Sequence, residues 1–122
     1  MTSCVVVGPG AIGLLFACRL SAVLDDIALL DYRPDRARRL TSRGIRCITA
    51  AGAETTHRIP VVASAADVPF QPDALLYTTK AYATQDAAQH ARDLGAAASV
   101  IVSLQNGMGN VEALSDVFGR WR

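Results

Sequence analysis

The chain lacks several features that mark whole classes of protein. Acidic and basic residues nearly balance, 11 against 12, and the net charge of +1 argues against a dedicated nucleic-acid or membrane-surface protein. No apolar run approaches the ~20 residues that a membrane-spanning helix needs. No basic region precedes the first predicted strand, so we expect no signal peptide and a cytoplasmic protein. The 122 residues, 51% of them hydrophobic, form one domain at most, with a real core.

Cysteine and histidine are also scarce. The three cysteines, Cys4, Cys18 and Cys47, show no Cys-X-X-Cys spacing. We expect Cys4 and Cys18 to be reduced core residues, because they fall in a predicted strand and a predicted helix. Neither His57 nor His90 has a metal or triad partner at a useful spacing, and both are expected at the surface.

The most informative motif is Gly8-Pro9-Gly10-Ala11-Ile12-Gly13, which follows an apolar run of four residues. A buried strand, a tight glycine turn and a helix start form the context of a dinucleotide-binding fingerprint. Gly8 permits the turn, Gly10 lets backbone approach a pyrophosphate, and Gly13 lets the helix pack close to the strand. Because Pro9 has no amide hydrogen, the phosphate cradle must come from residues 10–13. An ordinary strand-to-helix turn is the alternative.

The end of the second predicted strand carries opposing signals for the cofactor. Asp31 lies 18 positions after Gly13, where an acid usually binds the ribose 2′-hydroxyl of NAD. Arg33 follows, and a guanidinium there suits the 2′-phosphate of NADP. Asp31 would repel that phosphate unless it turns away or pairs with an arginine. The later arginines of this segment are interpreted as a solvated helix face: Arg38, Arg39 and Arg43.

Two further loops carry candidate site residues. Lys80, just past a predicted strand, is the only lysine among twelve basic residues. Its presence there indicates a role for a compact ammonium group. It could bind a carboxylate, a phosphate or a carbonyl oxygen. Asn106, in Gln105-Asn106-Gly107-Met108-Gly109, offers an amide to a ribose, a nicotinamide amide or a substrate hydroxyl. A surface lysine and a plain Asn-Gly turn are the respective alternatives.

Alternating strands and helices predict an α/β fold with a doubly wound parallel sheet of Rossmann type, in strand order 3-2-1-4-5. The predicted elements are strands 3–8, 27–30, 74–78 and 100–104, a hairpin of 45–49 with 56–62, and helices 11–23, 34–44, 84–95 and 110–118. Ile12, Leu15, Phe16 and Leu20 are expected to face the sheet, and Thr84 to cap its helix. The sheet stops after about five strands, so an exposed apolar edge at 100–104 predicts a homo-oligomer or a piece of a longer protein.

The glycine motif, Leu30-Asp31-Tyr32-Arg33, Thr79-Lys80-Ala81-Tyr82 and Gln105-Asn106-Gly107-Met108-Gly109 together resemble ketopantoate reductase (2-dehydropantoate 2-reductase) over essentially the whole chain. The resemblance implies NADPH-dependent reduction of a small 2-oxo acid, ketopantoate, to pantoate, in the pathway to pantothenate and coenzyme A. It also implies that residues 8–13 hold the pyrophosphate, that Arg33 holds the 2′-phosphate, and that Lys80 and Asn106 lie beside the nicotinamide and substrate. No metal is implied.

Two departures from the family bear on function. Asp31 stands where the family more often has an apolar residue, so NADP is favoured while NAD stays open. The family's proton-donating lysine and a substrate-binding acid lie in a helical C-terminal domain, for which nothing in residues 1–122 can stand in. We therefore expect an incomplete dinucleotide-binding domain, inactive or nearly so by itself. A reductase of another 2-oxo acid, a non-catalytic dinucleotide-binding module and, more remotely, a methyltransferase are the alternatives.

Overall fold

The computed structural model describes residues 2–80, 83–95, 98–105 and 108–119. The strands are β1 (Ser3–Val7), β2 (Asp26–Leu30), β3 (Ile45–Ile48), β4 (Glu54–His57), β5 (Val61–Val62), β6 (Ala74–Tyr77) and β7 (Val100–Ser103). The helices are α1 (Ala11–Leu20), α2 (Pro34–Arg43), α3 (Thr84–His90), α4 (Arg92–Gly95) and α5 (Asn110–Phe118), with a short 3-10 helix at Ala65–Asp67. No helix in this described part is long and apolar enough to cross a membrane.

Five strands form a parallel sheet in the order β5-β2-β1-β6-β7. This confirms the doubly wound α/β fold and the predicted strand order. β1 is central and fully buried, as the apolar run of its last four residues indicates. Since all five strands run in the same direction, their carboxyl ends meet at one edge, and the loops after β1, β2, β6 and β7 share that edge. β7 lies at the side of the sheet, where the sequence predicts an edge strand.

The core lies on both faces of this sheet, because successive strand residues point to opposite sides. Val6 and Leu29 belong to the cluster covered by α1, α2 and the β3–β4 hairpin. Val5 and Leu75 belong to the cluster covered by α3, α4 and α5. The core therefore holds the strand ends, and the loops that follow them, in fixed positions.

The predicted inward face of α1 is wrong. Ile12 and Leu15 are 49% and 45% exposed, and Phe16 is also exposed, whereas Gly13 and Ala17 are buried against the sheet. Gly13 has no Cβ, so the helix approaches the strand most closely on its small-residue side. Ile12, Leu15 and Phe16 consequently lie on the outer side of α1, and only Leu20 of the predicted set packs against the core.

The region between β2 and β6 also differs from the prediction. β3 pairs with 54–57 rather than with 56–62, and this antiparallel hairpin is a separate two-stranded sheet. Val61–Val62 instead joins β2 in parallel and provides the third strand of the main sheet. Both segments contain β-branched residues, so sequence alone does not separate them.

The helix predicted over 84–95 is divided into α3 and α4. Ala83 occupies the N-cap position, and Thr84 is the first helical residue. The Thr84 hydroxyl donates to Asn110 Oδ1 at 2.7 Å, so its hydrogen bond joins α3 to α5. The predicted capping role of Thr84 is therefore wrong.

Candidate functional site

The glycine turn after β1 is built for close backbone approach. Gly8 has a φ of 109°, in the region that favours glycine. A Cβ on Gly13 would collide with the Gly8 carbonyl oxygen and lie 2.7 Å from Thr78 Oγ1, whereas a Cβ on Gly10 would meet nothing within 4 Å. Gly8 and Gly13 are thus required by the turn and its packing. Gly10 is required by neither.

Thr78 fixes this turn to β6. Its hydroxyl is 2.9 Å from the Gly8 carbonyl oxygen and 3.2 Å from that of Val7. No role is predicted for Thr78 from the sequence. Its position as the last residue of the predicted strand 74–78, beside β1 in the sheet, is the signal that could have identified it.

The start of α1 leaves backbone donors at the sheet edge. The N-cap residue, Gly10, has extended backbone and no side-chain cap, and its carbonyl accepts from the Leu14 amide at 2.9 Å. The first amides of a helix have no partner within the helix. With the positive end of the helix dipole, these amides form a site suited to an anion. No acidic residue occupies the first turn of α1.

Asp31 is buried and paired with an arginine. Its side chain is fully buried, and Arg36 donates to it twice, through Nε at 2.6 Å and a terminal nitrogen at 2.7 Å. The Arg33 amide also donates to Asp31 Oδ1, at 3.1 Å. The carboxylate raises the pKa of the Arg36 guanidinium above its ordinary value. This is one of the two arrangements that would remove repulsion between Asp31 and a 2′-phosphate.

Arg36 was not assigned a role from the sequence. It lies 5.4 Å from the centroid of the exposed Tyr32 ring as well as on Asp31. The helix start at Pro34 places Arg36 in the first turn, where its side chain can reach back to the strand end. That spacing is the signal that could have identified the pair.

Arg33 remains beside this pair with an exposed head group. Its side chain is 48% exposed. Among the described residues, its one ion pair is with the exposed Asp35 carboxylate, at 3.2 Å. The guanidinium lowers the pKa of Asp35 from its ordinary value. Such an exposed pair holds little energy, so Arg33 can readily turn to an anionic ligand.

The loops after β6 and β7 are joined by Gln105, another residue without an assigned role. Its Nε2 lies 2.9 Å from the Thr79 carbonyl oxygen, 3.0 Å from Thr79 Oγ1 and 2.7 Å from Thr84 Oγ1. Ser103 donates to Gln105 Oε1 at 3.0 Å. Gln105 thus fixes the relative positions of the segments that precede Lys80 and Asn106.

Lys80 is exposed, and no carboxylate of the described residues forms an ion pair with it. It follows Thr79 at the same sheet edge as the glycine turn. Asn106 lies outside the described residues, so its predicted position beside Lys80 stays a prediction. The roles assigned to the other candidate residues, from Gly8 to Arg33, also stay predictions.

The parallel sheet, its strand order and the glycine turn between β1 and α1 define a Rossmann-type α/β domain. The family model for ketopantoate reductase PanE/ApbA matches residues 4–122. The 2-dehydropantoate 2-reductase of Pyrococcus horikoshii is 33% identical over 115 residues, which cover 94% of this chain and 36% of the relative. That of Halobacterium salinarum is 31% identical over 114 residues, with 92% and 36% covered.

A crystal structure of a relative also matches most of this chain and about a third of its own chain. The probable 2-dehydropantoate 2-reductase panE of Bacillus subtilis has a TM-score of 0.75 and 29% identity, covering 93% of this chain and 36% of that one. The chain belongs to the ketopantoate reductase family PanE/ApbA. It spans about a third of the length of these relatives.

Proposed function

We propose that this chain binds NADP(H) at the carboxyl edge of its sheet, as the cofactor-binding part of an enzyme that reduces ketopantoate to pantoate. The observation that carries the proposal is the glycine turn, where Gly10 has open space above its Cα at the amino end of α1. The family of the chain supports a nicotinamide dinucleotide there. Phosphate oxygens fit there because the start of α1 has no side-chain cap and no acidic residue in its first turn, so its first amides can donate to them.

The pyrophosphate contacts would come from residues 8–13. The amides of Gly10, Ala11, Ile12 and Gly13 donate, whereas Pro9 only shapes the turn. Gly8 and Gly13 hold the turn in place through their close packing with each other and with Thr78. None of these contacts needs a side chain. The residues of the turn are therefore constrained by the space available for a phosphate and not by the charge of their side chains.

The choice of NADP over NAD would follow from Asp31 and Arg33. With both carboxylate oxygens of Asp31 accepting from Arg36, its charge is compensated. Asp31 then stabilises the turn after β2 instead of competing for a ribose hydroxyl. The exposed Arg33 guanidinium binds the 2′-phosphate through charge-assisted hydrogen bonds.

Lys80 and Asn106 would act at the reacting end of the cofactor. NADPH, when bound, supplies the hydride. The Lys80 ammonium binds the carboxylate or the carbonyl oxygen of the 2-oxo acid, and Asn106 orients the substrate or the nicotinamide amide by hydrogen bonds. The developing alkoxide also needs a proton donor and shelter from water. We propose that a further, helical part of the enzyme supplies both, so this chain alone binds cofactor without turnover.

We also propose that a second copy of the chain covers the side of the sheet at β7. Val102 is exposed there, and β7 pairs with β6 on one side only within the sheet. Sedimentation over a range of protein concentrations should show a concentration-dependent dimer. A single monomeric species at all concentrations would contradict this part of the proposal.

The test is a parallel titration with NADPH and NADH, following the fluorescence of the reduced nicotinamide. We expect saturable binding that favours NADPH. Arg33→Ala should weaken NADPH binding by about 10-fold or more, a loss of about 1.4 kcal/mol, and leave NADH binding unchanged. Arg38→Ala is the matched control, since Arg38 is another exposed arginine on the same segment.

If both nucleotides bind equally to the wild-type chain and to Arg33→Ala, the proposed 2′-phosphate site is wrong. If neither nucleotide binds, the glycine turn is only structural in this chain. Addition of ketopantoate and NADPH should give no oxidation of NADPH. Turnover by this chain would show that the proton donor lies within it.

A further inference from the structure

Away from the candidate cofactor edge, α1 and the β3–β4 hairpin bring two cysteines and a histidine together. The Sγ atoms of Cys18 and Cys47 and a ring nitrogen of His57 all lie within 4.8 Å of one another. Cys18 is buried in α1, about two helical turns from Gly10, and the other two residues are half-buried on the hairpin. No metal partner is predicted for His57 from residue spacing, because the three residues come from separate elements.

We propose that Cys18, Cys47 and His57 form a binding site for a thiophilic divalent cation, with Zn²⁺ as the favoured ion. Two thiolates and an imidazole are a donor set that Zn²⁺ prefers among the common divalent cations. This site is separate from the glycine turn, and its existence does not depend on the proposed reductase function.

The separation of the backbones favours a metal over a disulfide. The structure joins Cys18 and Cys47 as a disulfide, so the expectation of a reduced Cys18 is wrong, whereas Cys4 is free and buried as expected. The Cα atoms of the pair are nevertheless 7.1 Å apart. Disulfides usually join Cα atoms about 4.4–6.8 Å apart, and a larger span needs backbone movement. A bridging cation instead needs the sulfurs to move apart, which the wide backbone spacing permits. A disulfide also makes no use of His57, whose ring lies at the same point.

Hydrogen bonds at both nitrogens hold the His57 ring in place. Nδ1 lies 3.1 Å from Ser21 Oγ, and Nε2 lies 3.0 Å from Thr55 Oγ1. The Ser21 hydroxyl donates to the Cys18 carbonyl oxygen at 2.7 Å. It therefore accepts from Nδ1–H, which leaves Nε2 unprotonated and accepting from the Thr55 hydroxyl. A cation bound at Nε2 would displace that hydroxyl. A neutral imidazole fixed by a hydroxyl is the arrangement that second-shell partners give to metal-bound histidines.

An open cleft reaches this cluster at His57. Its volume is about 470 Å³, and Ser21, Asp25 and His57 are among the residues that line it. Solvent in the cleft can supply the fourth ligand of a tetrahedral ion. Once a thiol reductant has converted the Cys18–Cys47 disulfide to two thiols, binding would release two thiol protons, one from each cysteine, and would join α1 to the hairpin through metal–ligand bonds.

The test uses the fully reduced chain and Co²⁺ as a spectroscopic probe, followed by Zn²⁺ competition. We expect one Co²⁺ per chain, visible d–d bands of tetrahedral intensity, a thiolate-to-cobalt charge-transfer band, and displacement by one equivalent of Zn²⁺. Cys47→Ser should lose about half of the charge-transfer intensity, because one of the two thiolates is gone. His57→Gln should weaken binding by about 10-fold or more while keeping both thiolates.

Cys4→Ala is the matched control, because Cys4 is the buried third cysteine outside the cluster. It should bind Co²⁺ and Zn²⁺ as the wild-type chain does. His57 is only half-buried, so His57→Gln tests the site even if a cysteine variant does not fold; circular dichroism checks folding in each case. No Co²⁺ uptake by the reduced wild-type chain, or equal uptake by His57→Gln, would overturn the proposal.

Discussion

Replacing Gly10 by alanine separates a ligand-binding glycine from a structural one. Gly10 has φ −75° and ψ −175°, which alanine adopts freely, and its new Cβ would have no neighbour within 4 Å. Loss of an N-cap glycine costs up to about 1 kcal/mol, and the reduced entropy of the unfolded chain returns about 0.4–1 kcal/mol. We therefore expect the free energy of unfolding to change by less than about 0.5 kcal/mol.

Binding should respond much more strongly than stability. The added methyl group would occupy the space through which a phosphate reaches the first amides of α1. Loss of one hydrogen bond to a charged group costs about 1.5–3 kcal/mol, which corresponds to a roughly 10- to 150-fold weaker NADPH complex. Fluorescence titration with NADPH measures the affinity, and urea denaturation of the same preparation measures the stability.

Gly13→Ala is the matched variant with the opposite expectation. Its Cβ would collide with the Gly8 carbonyl oxygen, so we expect about 1–3 kcal/mol of destabilisation from overpacking. The reasoning would be refuted if Gly10→Ala bound NADPH as tightly as the wild-type chain. It would also be refuted if Gly10→Ala lost as much stability as Gly13→Ala, because Gly10 would then be a packing residue.

Two further predictions concern buried ionisable groups. Arg36→Ala leaves the buried Asp31 carboxylate without its partner, and because the Arg36 side chain is 27% exposed we expect about 2–3 kcal/mol of destabilisation in urea. Arg39→Ala, an exposed control on the same helix, should stay within about 0.5 kcal/mol of wild type, and equal stability of the two variants would contradict the role of the pair. Burial raises the pKa of the Cys4 thiol from 9.0 to about 11, so its contribution to stability is present below pH 9 and is lost as the pH rises to about 11. Urea denaturation across this window should show a smaller decline for Cys4→Ala than for the wild-type chain, and identical declines would refute the shift.

The sheet could be predicted from the sequence because its signals are local. Apolar runs mark β1, β2, β6 and β7, and the glycine motif fixes which strand precedes the first helix. The inward face of α1 could not be predicted, because the helix is apolar around most of its circumference and the closest approach is set by Gly13. The third strand, Val61–Val62, is only two residues long and resembles the hairpin strand before it.

In the candidate site, too, features with local sequence signals could be predicted, and contacts set by packing could not. The loops that carry Gly10, Arg33 and Lys80 follow from the strand ends, whereas the partners of those loops depend on packing. Arg36 reaches Asp31 only because α2 begins at Pro34. Cys18 and Cys47, which are 29 positions apart, meet because α1 packs on the β3–β4 hairpin. The Cys18–Cys47 contact has no signature in residue spacing, whereas the start of α2 at Pro34 could have indicated the Asp31–Arg36 pair.

The most direct test of the account is a map of the dinucleotide site on the folded chain. Amide shifts of the ¹⁵N-labelled protein should be recorded during titration with NADPH. We predict saturable shifts at residues 10–13 and at Arg33, with the amides of Cys47 and Thr55 unchanged. Shifts confined to the β3–β4 hairpin, or none at the amino end of α1, would contradict the central claim that the glycine turn holds the cofactor.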